Sequence, residues 1–163
     1  MSSTPEVTVY TDGACIGNPG PGGYGVVLVH GSQRRELSGG RRLTTNNRME
    51  ILAAIEGLQA LKEPCSVTLH SDSLYLVDAI VKGWADRWRK NGWMRTKNER
   101  ALNPDLWQRL LEQCQKHDVS FRWVKGHAGH PLNERCDRLA NGEARKEGQP
   151  PDTEYEATTR VSR

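Results

Sequence analysis

Thr44-Thr45-Asn46-Asn47-Arg48-Met49-Glu50-Ile51-Leu52-Ala53-Ala54-Ile55 is where this 163-residue sequence changes its period. Upstream, apolar residues recur at every second position. From here they recur at helical spacing, with Ile51, Ile55 and Leu58 in one row and Ala53, Ala54, Gly57 and Leu61 in the next. Pro64 marks the end of that helix. On the N-terminal side, Val7-Thr8-Val9-Tyr10-Thr11-Asp12 alternates and runs into a Gly/Pro cluster. Tyr24 to Val29 resumes as an apolar run, and Arg34 to Leu43, broken by Gly39-Gly40, reads as a third strand of an antiparallel meander. On the C-terminal side, Val67 to Asp72 is a fourth strand and Leu74 to Val81 a helix. Asn103-Pro104-Asp105 starts another helix, striped by Leu106, Leu110, Leu111 and Cys114. Val119 to Val124 is a fifth strand, and Asn133 is placed to cap a last helix ending near Lys146. The expected fold is α/β, with a five-stranded mixed sheet of three antiparallel then two parallel strands and helices on both faces.

The length suits one domain, expected over residues 1–147, followed by a flexible C-terminal tail over 148–163 that contains Pro150-Pro151. Charged residues at 26% and apolar ones at 36% exclude both a disordered chain and a membrane protein. The longest uncharged stretch, Gly13 to Gln33, is interrupted by seven glycines, Pro19 and Pro21, so no membrane span is expected. The opening residues carry neither a basic region nor an apolar run, which predicts a cytoplasmic protein. Cys15, Cys65, Cys114 and Cys136 stand far apart, as reduced thiols do. A monomer is the default expectation.

The net charge of +3 is unevenly spread. Lys82 to Arg100 holds seven Lys/Arg against Asp86 and Glu99, whereas the remainder has sixteen basic and eighteen acidic residues. The same segment holds Trp84, Trp88 and Trp93 among five tryptophans in all. Cations interleaved with indoles suit a polyanion-binding arm, and a solvated charged helix is the plain alternative.

Four carboxylates carry the chemistry. Asp12 ends the first strand beside a glycine-rich loop, where a backbone can approach a ligand closely or simply turn. Glu50 lies on a helix row of small residues that predicts close packing on the sheet, although Asn47 to Glu50 also resembles a capping box. Asp72 follows the fourth strand, as a metal ligand or a helix cap. Asp137 falls one turn into the last helix, on a row with Ala140, Asn141 and Ala144, with Arg135 and Arg138 available for solvent pairs. Clustered carboxylates repel, and divalent cations relieve the repulsion; oxygen-only ligands favour Mg²⁺ or Mn²⁺ over zinc. Two such ions about 3.5 to 4 Å apart serve phosphodiester hydrolysis. His127, between Gly126 and Gly129, offers an imidazole for proton movement, while a zinc reading would recruit His127, His130 and Cys136.

Thr11-Asp12-Gly13-Ala14-Cys15-Ile16-Gly17-Asn18-Pro19-Gly20, Thr45 to Glu50, His70-Ser71-Asp72-Ser73, and Trp123 to His127 with Glu134-Arg135-Cys136-Asp137 resemble, in order, the four signature blocks of bacterial type 1 ribonuclease H. The resemblance runs from about Val7 to Ala144. It implies a ribonuclease H-like fold and an endonuclease that cuts the RNA strand of RNA/DNA hybrids, such as primers and R-loops, leaving 3′-hydroxyl and 5′-phosphate ends. Carried over by position, Asp12, Glu50, Asp72 and Asp137 are the ligands of two Mg²⁺ ions, with Mn²⁺ a substitute and Asp12 shared between them. His127 would assist proton transfer or product release. Asn18, Asn46 and Asn47 would touch the hybrid's minor groove. The basic protrusion 82–100 would grip the hybrid through Trp84, Trp88, Arg89 and Lys90. No membrane and no obligate protein partner is implied. Leu74 stands where bacterial members commonly carry glutamine, which removes one minor-groove hydrogen bond. A hybrid-binding module would share the Trp-rich arm, and a recombinase or integrase would share the fold. The acidic quartet and the chain length argue against both.

Overall fold

The computed structural model describes residues 4–126 and 129–161. In chain order they form β1 (Glu6–Cys15), β2 (Gly20–His30), β3 (Gln33–Thr44), α1 (Asn46–Gln59), β4 (Ser66–Ser71), α2 (Leu74–Val81), α3 (Trp84–Lys90), α4 (Pro104–Lys116), β5 (Asp118–Trp123), α5 (Pro131–Ala144) and α6 (Thr153–Val161). The sheet order is β3-β2-β1-β4-β5. β1 pairs antiparallel with β2 and parallel with β4, which pairs parallel with β5. The expected mixed sheet is present. β1 is its central strand, and both β1 and β4 have neighbours on each side, so their carboxyl ends emerge side by side.

Strand alternation sorts the two faces. Val7, Val9, Val67, Leu69 and Phe121 are buried on the side taken by α1. α1 is buried from Arg48 to Ile55 because it lies between the sheet and α4, whose Leu106, Trp107 and Leu110 close the core. α5 covers the opposite face over β2, β1 and β3. There the backbones touch: a Cβ on Gly25 would strike the carbonyl oxygen of Cys136, and one on Gly23 that of Ala140. Among the described residues no helix is long and apolar enough to cross a membrane.

Four local readings are corrected. β3 runs unbroken through Gly39-Gly40, because both pair with β2. α1 is capped by Thr45, whose hydroxyl accepts the Arg48 N–H, and not by Asn47. α5 begins at Pro131, so Asn133 is a buried residue of its first turn and not its cap. The segment expected to be a flexible tail is anchored. Asp152 accepts from Thr44 Oγ1 at 2.7 Å and from Arg48 Nε and Nη2 at 2.7 and 2.9 Å, and Glu156 takes a forked bond from Arg42. Charge pairing with α1 and β3 supplies the order that apolar patterning in 148–161 does not.

Candidate active site

Asp12 sits near the carboxyl end of β1 and Asp72 one residue past β4, so the parallel register of these strands brings their side chains to one edge of the sheet. Glu50 arrives from above near the start of α1. Gly13 makes this approach possible: a Cβ there would lie 2.5 Å from the backbone nitrogen of Glu50. The Gly13 N–H is shared between Asp12 Oδ1 at 2.9 Å and Glu50 Oε1 at 2.5 Å. Ser71 Oγ stands 3.5 Å from the other Glu50 oxygen. Oxygens of Asp12, Glu50 and Asp72 lie within 4.8 Å of one another. Asp137 lines the same depression, together with Asn46 and Ser73, without belonging to that closest group.

The helix-cap alternatives fall away on geometry. Ser73 caps α2 by accepting the Leu76 N–H, which leaves the Asp72 carboxylate to the depression. Glu50 turns to Gly13 and Ser71 rather than back to its own helix end. Asp137 is held by Asn141, one turn on, whose side-chain amide donates to its carboxylate at 3.1 Å and to its carbonyl at 2.9 Å. Trp123 Nε1 donates to the carbonyl of Asp72 at 3.1 Å, and a Cβ on Gly126 would lie 2.9 Å from Asp72 Oδ2. The zinc reading fails at Cys136, which is buried with its thiol donating to the Tyr10 carbonyl. His127 lies outside the described residues.

Asp12 and Glu50 are only 4% and 3% exposed, and no described cation pairs with either. Burial pushes the Asp12 carboxyl far above the usual carboxylate range, with Glu50 adding most of the remaining push and Asp72 and Asp137 contributing. Burial also raises Glu50, against hydrogen bonds that favour its charged form. Desolvation plus like charge is the state that a divalent cation relieves.

Of the nucleic-acid residues inferred from sequence, Asn46 lines this depression, whereas Trp84 and Trp88 line a separate one with Tyr75 and Arg100. The exposed Asn18 accepts the Asn46 N–H on its side-chain oxygen at 3.0 Å, which fixes the loop after β1 against the start of α1; Asn47 is exposed beside them. The arm differs from a simple row of free cations and indoles. Trp84, Trp88 and Trp93 are half-buried against the core, with Trp88 edge-on to Trp107 at 6.2 Å. Arg89 and Lys90 share Asp86 at 2.5 and 2.9 Å, and the Lys82 ammonium lies over the Trp84 ring. Leu74 is 52% exposed at the start of α2. The sequence reading missed Ser71, Trp123 and Asn141 as supports. Only Asn141, one helical turn after Asp137, carried a signal.

Residues 4–145 match the family model described as RNase H. A ribonuclease H of Syntrophus aciditrophicus is 70% identical over 135 residues, covering 83% of this chain and 78% of the relative. One of Desulforamulus reducens is 65% identical over 147 residues, 90% of this chain and 92% of the relative. Among solved structures, LC9-RNase H1, a type 1 RNase H with the type 2 active-site motif, superposes with a TM-score of 0.80 at 34% identity, covering 91% of this chain and 76% of that one. Fold, acidic pocket and likeness agree, and the chain belongs to the RNase H family as a bacterial type 1 ribonuclease H.

Proposed function

We propose that this chain hydrolyses the RNA strand of RNA/DNA hybrids endonucleolytically, with two divalent ions held by Asp12, Glu50, Asp72 and Asp137, leaving 3′-hydroxyl and 5′-phosphate ends. The observation that carries this reading is the convergence of three carboxylates within 4.8 Å, two of them buried and without a cationic partner among the described residues. The donor set is all oxygen, which fits Mg²⁺, or Mn²⁺ as a substitute. Bound there, the ions supply activation of the attacking water and stabilisation of the leaving oxygen.

The chain's own groups do the rest. Asp12 would hold metal only from a fixed orientation, and the Gly13 N–H gives it one while holding Glu50 alongside. Asn141 and Trp123 position Asp137 and the backbone of Asp72. His127 serves proton transfer to or from the reacting oxygens. Asn18, Asn46 and Asn47 present amides that both donate and accept, which suits the 2′-hydroxyls of one strand and the deoxyriboses of the other. Trp84, Trp88, Arg89 and Lys90 hold the hybrid without reading its base sequence. All four acids come from a single chain, so a cytoplasmic monomer without an obligate protein partner suffices.

Matched RNA/DNA, RNA/RNA and DNA/DNA duplexes incubated with Mg²⁺ test the reading. Scission of the RNA strand of the hybrid alone, abolished by EDTA, is expected. Equal cleavage of the three duplexes, or cleavage that persists in EDTA, would overturn it.

A further inference from the structure

α5 covers β2, β1 and β3, and the same face of β4 and β5 has no covering helix among the described residues. The registers set a grid of side chains on that open face. Tyr10, His70 and Arg122 form the row nearest the carboxyl ends, Thr8, Thr68 and Ser120 the next, and Glu6, Ser66 and Asp118 the last. The face is therefore graded, with its acids at the far end and its cation beside the metal pocket. Tyr10 and His70 stack with ring centroids 4.8 Å apart and planes 13° apart. His70 Nδ1 is buried without a hydrogen-bond partner. Arg122 and His130 are both exposed and close enough to act on the His70 imidazole. Among the described residues no carboxylate pairs with Arg122.

We infer that Arg122, with Tyr10, His70 and His130 around it, is a subsite for a backbone phosphate of the RNA strand adjacent to the one cleaved. This rests on the hydrolytic reading above. Three features single out that ligand. A planar guanidinium without a protein carboxylate matches a phosphate's geometry and charge. The neighbouring hydroxyl and ring groups supply further hydrogen-bonding capacity. Finally, Tyr10 and His70 stand two residues before Asp12 and Asp72 on the same strands, a separation of about 6.6 Å and the scale of one nucleotide step. The strand whose phosphate lies over the acids is the one that can reach this row.

The test uses single-site hybrids in which one uncharged methylphosphonate linkage is moved stepwise along the RNA from the cleaved position, with the wild type, Arg122→Ala and Arg122→Lys. At one position next to the cleaved phosphate, the neutral linkage is expected to raise KM about tenfold for the wild type and less than about twofold for Arg122→Ala, with Arg122→Lys between them. kcat on the unmodified hybrid should stay within about twofold for both variants, since Arg122 touches none of the acids. The same coupling should appear in hybrid binding measured in EDTA by fluorescence anisotropy. Equal penalties in the wild type and Arg122→Ala at every position, in both measurements, would overturn the subsite. A wild-type protein that leaves the unmodified hybrid intact would instead defeat the hydrolytic reading, and the binding measurement would still decide the subsite.

Discussion

Near its start α1 buries two opposite charges two residues apart, and the molecule treats them in opposite ways. Arg48 is 3% exposed and fully compensated: its guanidinium donates to Asp152, to Asp105 at 2.7 and 2.9 Å, and to the side chain of Asn103 at 3.3 Å. Glu50 is equally buried and faces Asp12, another carboxylate, with one backbone N–H between them. A buried charge with good partners holds three segments in place; a buried charge denied a partner is a demand for an ion. The difference separates the part of this stretch that specifies structure from the part that specifies chemistry.

The largest expected effect tests the uncompensated side. Asp12→Asn should lower Mg²⁺-dependent hybrid cleavage by more than about 100-fold, the upper end of what losing even an outer metal partner costs. The same change should raise the melting temperature of the metal-free protein, because it removes a carboxyl that burial and Glu50 force to take up a proton on folding. A cleavage assay and a thermal melt in EDTA read the two signs separately, and a lowered melting temperature would break the contrast drawn here.

On the compensated side, Arg48→Met strands Asp105 and Asp152 and should cost about 3 to 5 kcal/mol in urea denaturation. Next in size is the ion itself. Mg²⁺ at one hundred times its dissociation constant should stabilise the wild type by about 2.7 kcal/mol. It should leave Asp12→Asn nearly unmoved in the same melt.

The two sides should also answer to pH with opposite signs. The Arg48 and Thr44 hydrogen bonds hold Asp152 below its usual range despite burial, so its contribution is present above the unfolded carboxylate value and is lost as pH falls through the depressed one. Asp12 and Glu50 are raised, so their penalty is absent in acid and grows as pH climbs past the usual carboxylate range. The destabilisation caused by Asp152→Asn should therefore shrink toward low pH, while the stabilisation caused by Asp12→Asn in EDTA should grow toward high pH. Paired melts across pH 3 to 8 check both.

The smallest effect concerns the arm. Because Arg89 shares Asp86 with Lys90, Arg89→Ala should reduce the salt slope of hybrid binding by less than the ~0.9 of a free phosphate contact. A full unit would mean that Asp86 releases the arginine on binding.

How much of this was legible beforehand follows from the range of the interactions involved. Alternation and helical spacing are local, so all five strands and the order of their connections could be read from Val7 to Val124. The carboxylates were legible as a set because each ends a strand or begins a helix, positions that a parallel pair of strands gathers at one edge. Caps were misplaced by a residue or two, as at Asn47 and Asn133, where several polar side chains stand in a row and only backbone geometry chooses among them. The anchoring of 148–161 was invisible because Asp152 finds its partner 104 residues away, a pairing that no periodicity encodes. The inward turn of Trp88 was hidden in the same way: its edge-on partner, Trp107, lies beyond the arm.

The clamp on Arg48 also has a history in time. During synthesis Arg48 leaves the ribosome 104 residues ahead of Asp152. Asp105 follows after 57 residues, so between its emergence and that of Asp152 the guanidinium has one of its two anions, and the turn that carries Glu50 is only half secured over that stretch of synthesis.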